Sequence, residues 1–223
     1  MIRYMKYILI ALVLLLTEMT PVLAFTPVIT EVEKQYDVVE LPDSLTETQV
    51  QLGVLNNSPI MYGVKTEASS TLQVTLRQQF IAGQDPLNLA LIAIRENDRN
   101  GGVTEVARLR PGSADWERVK DKPLGMTFLK SDTLTADIGP GSYRIEVSSP
   151  SNSGRYMVTF GDDKETAGFF GTIKNAVIIQ NFFGYSFLRI FTSSHVYYLL
   201  GIALVLFGIH RTWKLRKAIV YDS

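Results

Sequence analysis

Residues 136–160 read ADIGPGSYRIEVSSPSNSGRYMVTF, running from Ala136 to Phe160. Tyr143, Ile145 and Val147 alternate with Arg144 and Glu146, and Tyr156, Val158 and Phe160 alternate with Met157 and Thr159. A period of two over a few residues is the pattern of a half-buried strand. Gly139-Pro140-Gly141 and Pro150-Ser-Asn-Ser-Gly154 separate the runs with residues that suit tight reversals. The stretch therefore predicts three antiparallel strands joined by two turns, with Tyr143 and Tyr156 facing a core and their hydroxyls directed to its rim.

The same period extends back along the chain. Val50, Leu52 and Val54 predict one apolar face, with Gln49, Gln51 and Gly53 on the other; Leu72, Val74 and Leu76, and later Leu134, Ala136 and Ile138, predict others. Residues 87–94, LNLALIAI, are apolar on both sides, as a strand covered from both sides would be. Polar, turn-forming clusters lie between, among them Asn56-Asn57-Ser58-Pro59, a formal glycosylation sequon that reads as a turn. Roughly eight short strands at this spacing predict an all-β antiparallel sandwich or jelly roll over residues 25–166.

The segments Pro140-Gly-Ser-Tyr-Arg-Ile-Glu-Val147 and Ser153-Gly-Arg-Tyr-Met-Val-Thr-Phe160, with QVQLGVLNNSPIMYGVKTEASSTLQVTL upstream, resemble the bacterial pre-peptidase C-terminal domain over about residues 47–160. The resemblance implies a β-sandwich of the PPC-like kind. Ser58-Pro59-Ile60 stands where the family usually has an acidic residue ahead of the aromatic, and no metal ligand is carried over.

Both ends of the chain are greasy. Residues 7–16, YILIALVLLL, follow Arg3 and Lys6 and precede Val22 and Ala24 at cleavage-site positions, the form of a secretory signal peptide over residues 1–24. An uncleaved anchor is the other reading, although the run is short for a span. His195 to Ile209 is a second apolar run, and crossing the hydrocarbon layer takes about 17–20 residues. It predicts a transmembrane helix over residues 192–212, with Tyr197, Tyr198 and Trp213 as interfacial aromatics. Arg211, Lys214, Arg216 and Lys217 follow within a basic tail, residues 213–223, which places that end in the cytoplasm. A buried soluble helix would leave those flanking cations and aromatics unexplained.

Residues 167–191 change period. Phe169, Ile173, Ala176, Val177, Phe183, Phe187, Leu188 and Phe191 share one helical face, with Phe170 beside them; Lys174, Asn175, Asn181, Ser186 and Arg189 gather opposite. That predicts an amphipathic helix lying in the outer membrane interface. A second spanning helix and docking on another membrane subunit are the alternatives. Ser194, Gly201 and Gly208 recur every seven residues, a small-residue stripe suited to helix packing.

The chain has net charge zero, but the first 24 residues carry +1 and the tail from His210 carries +3. Residues 25–209 are left with −4, which argues against nucleic acid as a partner. Absence of cysteine leans towards a prokaryotic cell envelope. His195 and His210 lie at the edges of the span, so no histidine or cysteine is available in the sandwich for nucleophilic triads or a nitrogen–sulfur zinc site. The carboxylates Glu96 with Asp98, Asp115 with Glu117, and Asp162 with Asp163 sit in polar turns and read as solvated charge, and the Glu96–Gly102 cluster reads as a polar loop rather than a calcium site because Arg99 lies within it. Trp116 reads as packing over a sandwich end.

These readings converge on a non-enzymatic, single-pass protein of the cytoplasmic membrane with its sandwich outside, without cofactor or metal. Its expected partners are membrane lipid and a protein or glycan. An accessory subunit of a membrane enzyme or transporter, docking through residues 167–212, is the alternative.

Overall fold

The computed structural model describes residues 26–32, 34–42, 47–97, 102–109, 116–162 and 168–221, with side chains to residue 214. The signal segment, Asp98, Asp115 and Asp163, and the side chains of Arg216 and Lys217, lie outside the described set. Two sheets form the body. The first is ordered β1 (Val28–Thr30), β3 (Gln49–Asn56), β11 (Ser153–Phe160), β5 (Ser70–Gln79), β9 (Met126–Ile138), β8 (Glu117–Asp121). The second is ordered β2 (Val38–Glu40), β4 (Ile60–Thr66), β10 (Gly141–Ser148), β6 (Ala90–Glu96), β7 (Val103–Leu109). The short edge strands β1 and β2 pair parallel, one in each sheet, and every other pairing is antiparallel. The fold is thus an all-β sandwich, with eleven strands among the described residues.

Between the sheets lies one apolar layer that includes Leu72, Val74 and Leu76 of β5, Tyr143, Ile145 and Val147 of β10, and Tyr156, Val158 and Phe160 of β11. Alternation on those strands predicts this layer correctly. Tyr143 directs its hydroxyl outward to the Gly139 carbonyl, 2.8 Å away across its own turn. Tyr156 differs from expectation: its hydroxyl is fully buried and lies 2.9 Å from that of Tyr62 on the opposite sheet. Its ring passes over Gly53, and a Cβ there would collide with the ring.

Strand β3 is turned over relative to the expected face. Gly53 and Leu55 face the other sheet, while Val50 and Leu52 point outward and are covered by a helix; Val54 is exposed. Alternation identifies two faces of a strand but not what covers each. Strand β9 serves both layers because its register with β5 shifts between Thr75 and Arg77. Beyond that irregularity Leu134 and Ile138 enter the intersheet layer, and before it Met126 and Phe128 meet the helix. The Ser131 hydroxyl accepts from the Leu76 amide at 3.1 Å there, supplying a bond the interrupted ladder lacks. Residues 87–94 resolve into an irregular Leu87–Leu89 lead-in and β6, and Ile92 and Ile94 are only half-buried, so among the described residues no second layer covers that face.

Two helices complete the chain. Helix α1 spans Phe169–Phe182 and packs on the outer face of the first sheet through Ala176, Ile179 and Phe182, joined by Phe183 and by Ile190 of the 3-10 helix Phe187–Thr192. Helix α2 spans Ser194–Tyr221 and leaves the body, with its side chains exposed from residue 197 to 212.

Candidate membrane-proximal site

The continuous helix expected over residues 167–191 is not formed. Gly184 adopts φ +81°, the Tyr185 amide donates to the Gln180 carbonyl and the Gly184 amide to the Asn181 carbonyl, each at 2.9 Å. This is a left-handed glycine stop with both crossing hydrogen bonds, and it ends α1 one residue after its last apolar contact. The buried face differs as well. Ala176 and Phe183 are buried as expected, but against the sheet rather than lipid, together with Thr172, Asn175, Ile179 and Gln180. Asn175, placed by sequence on the polar face, is 2% exposed. An amphipathic helix ahead of a span has the same pattern whether a sheet or a bilayer covers it; here the sheet offers Val50, Leu52, Met126, Phe128 and Met157.

The other residues predicted for the interface differ in exposure. Phe170, Phe187, Leu188, Phe191, Tyr197 and Tyr198 are exposed; Phe169, Ile173, Val177 and Trp213 are half-buried. Of the predicted topology determinants, Arg211 and Lys214 are exposed at the far end of α2. Around Gly201 and Gly208 the space where a Cβ would point is open, whereas Ser194 is engaged with the body.

That engagement defines the site. The turn Lys122–Gly125, between β8 and β9, presents four successive carbonyls to Gln180 of α1 and to the residues that lead into α2. The Ser194 amide donates to Lys122 at 3.0 Å, the Ser193 hydroxyl to Pro123 at 2.6 Å and the Gln180 side-chain amide to Leu124 at 2.7 Å, while the Thr192 hydroxyl shares its proton between the carbonyls of Gly125 at 3.0 Å and Arg189 at 2.7 Å. Gly125 has φ +65° and lies so close to Thr192 and Ser193 that a side chain would clash. Arg189 stacks 3.8 Å above the Tyr185 ring. Beside the turn, Lys120, Lys122, Arg189, Phe191, Tyr197 and Tyr198 bound a cleft of about 500 Å³. Sequence reading missed the turn and the cleft because their parts are about seventy residues apart; DKPLG carried a turn signal but nothing about its neighbour.

The window Ser194–Lys214 is 21 residues with mean hydropathy 1.4 and none of it buried, so α2 is long and apolar enough to cross a membrane. At 1.5 Å per residue it extends about 31 Å, close to the hydrocarbon thickness.

Among the described residues, no cluster of histidine, aspartate or glutamate gathers as metal ligands. Glu96 is ion-paired with Arg144, and Trp116 packs half-buried against the intersheet layer. In the core, burial pushes the Tyr62 hydroxyl up to about 12, and burial followed by the neighbouring Tyr62 holds Tyr156 well above the usual phenol range.

No family model matches the chain, and no curated protein matches it. Fifteen solved chains are similar to it. The pre-peptidase C-terminal domain of a collagenase from Bacillus anthracis is 10% identical with a TM-score of 0.34, covering 59% of this chain and 98% of that one. The resemblance to this sandwich is weak. A β-glucosidase from Paenibacillus barengoltzii is 13% identical with a TM-score of 0.28, covering 61% of this chain and 13% of its own.

Proposed function

We propose that this chain is a non-enzymatic, single-pass envelope protein that holds a PPC-like sandwich at the outer surface of the cytoplasmic membrane and there binds a protein or a glycan. The observation that carries the reading is the junction: a helix able to span a bilayer is bonded directly to the sandwich through Thr192, Ser193 and Ser194. A body so attached is a display module of fixed posture. The signal-like N-terminus and the cations beyond the span support an outward sandwich.

Because the chain contains no cysteine, single introduced thiols report sidedness. Glu67→Cys is expected to react with a membrane-impermeant maleimide in intact cells, and Ser223→Cys only after permeabilisation. The reverse pattern overturns the orientation.

The accessory-subunit reading draws on a narrower surface than residues 167–212. Helix α1 is already committed to its own sheet, which leaves Phe187, Leu188 and Phe191 with the exposed flank of α2 for docking. A stoichiometric multi-span protein co-purifying in mild detergent, and lost on Phe187→Ser with Leu188→Ser, would favour it.

A further inference from the structure

We infer that the cleft between the Lys122–Gly125 turn and the start of α2 binds the phosphate headgroup of an anionic phospholipid, drawn from the leaflet that faces the sandwich. The inference rests on the membrane-anchored reading of α2 and adds a ligand class and a site to it.

Composition and position agree. Lys120 and Lys122 are exposed cations one residue apart in sequence, on either side of Asp121, and both border the cleft. Asp121 is itself turned away, forming an ion pair with Arg77 at 3.4 Å and accepting from the Leu124 amide at 2.9 Å. Arg189 completes a triangle of cations, and no aspartate or glutamate is among the described residues that line the cleft. Its guanidinium is held by stacking on Tyr185. A planar cation fixed in direction suits a phosphate oxygen.

The rim supplies the second half of a lipid site. Phe191, Tyr197 and Tyr198 are exposed on the same cleft, and the two tyrosines occupy the first turn of the candidate span. Aromatic residues at that depth sit among glycerol and headgroup atoms, which brings the cations to the height of the phosphates. An acyl chain could then run down the open flank of α2, where the position beside Gly201 is vacant of neighbouring atoms. A free phosphate ion would use the cations but gain nothing from the rim or the flank.

The test uses the full chain in uncharged detergent micelles, with short-chain fluorescent phosphatidylglycerol as the probe. Saturable binding is expected, with phosphatidylcholine weaker by about tenfold or more, since cations near anionic lipid act through charge. Lys120→Ala with Lys122→Ala should weaken binding by about thirtyfold, from the usual contribution of each of two basic residues. The remote exposed pair Lys34→Ala with Lys65→Ala should leave it unchanged, and inorganic phosphate at matched concentration should not displace the probe. Equal binding of phosphatidylcholine, wild-type affinity in the cleft variant, an equal loss in the remote variant, or displacement by inorganic phosphate would each overturn the assignment. Micelles have no sides, so this outcome is independent of the thiol-labelling result: the cleft can stand while the orientation falls, and the converse.

Discussion

Ser193 is completely buried and its hydroxyl donates to the carbonyl of Pro123, seventy residues away, at 2.6 Å. It is one of four bonds that the Lys122–Gly125 turn accepts, three from Thr192, Ser193 and Ser194 at the approach to α2 and the fourth from Gln180 near the end of α1. Gln180→Ala would leave the buried Leu124 carbonyl without its strongest donor. A loss of about 1–3 kcal/mol is expected, the usual cost of an unsatisfied buried polar group. Ser193→Ala should cost about 1 kcal/mol. Chemical denaturation of the full chain in detergent measures both, and a loss confined to α2 with an unchanged sandwich transition would show that the turn and the body are not coupled.

The two buried tyrosines predict an asymmetry. Thr30 directs its hydroxyl proton to Gln51 at 3.0 Å and also bonds Tyr62. Tyr62 thus has two hydroxyl neighbours, Thr30 and Tyr156. Tyr62→Phe strips the buried Tyr156 hydroxyl of its Tyr62 partner and should cost about 1–3 kcal/mol. Tyr156→Phe leaves Tyr62 its Thr30 partner and should cost about 1 kcal/mol, while the double replacement should cost less than the sum of the two. Equal single losses that add would overturn this asymmetry.

The same pair sets an alkaline limit. Unfolded tyrosine ionises near pH 10, and the folded Tyr62 value is raised to about 12. The neutral pair therefore favours the fold fully below about pH 10, and this contribution declines as pH rises towards about 12 and is lost above it. Tyrosinate absorbance for these two groups should appear together with unfolding by circular dichroism. The double phenylalanine variant should begin to unfold at higher pH than the wild type; an unchanged onset would mean another group governs it.

Helix α1 belongs to the body it covers. A fragment of residues 25–166 leaves Val50, Leu52, Met126, Phe128 and Met157 bare, and it should aggregate or unfold earlier than residues 25–186. Ile179→Ala, fully buried in that layer, should cost about 2–5 kcal/mol. Equal stability of the two fragments would indicate that the helix is an accessory to the sandwich.

Gly184→Ala should cost about 1–2 kcal/mol through its left-handed backbone. The helix should then fray at its end and loosen Tyr185 and Arg189, read as reduced protection of the Tyr185 amide in hydrogen exchange. Unchanged protection would mean that the stop is held by the packing of Phe183 alone.

How far these features could be read from sequence depends on what each signal encodes. The β10–β11 hairpin was legible because its glycine turns bracket runs of unambiguous period two, and Tyr143, Val147, Tyr156 and Phe160 lie where alternation places them. Strand β3 was legible as a strand but not as to side, since its Val50 and Leu52 are as apolar as a core face and are covered by a helix 120 residues later in sequence. Helix α1 was legible as a helix but not in its target, because a moment in hydrophobicity names no partner. Its end was written in Gly184, a signal overridden by the apolar residues on either side. The cleft was invisible, being made of short-range parts brought together only by long-range pairing.

Because the 3-10 helix hands directly into the span, the body does not swing on a tether. A flexible leash of ten residues would let it wander over roughly 15–20 Å. Here that freedom is surrendered during folding, before any encounter. On the membrane-anchored reading proposed above, a partner would meet a body already oriented, and less rotational freedom would remain to be lost on association.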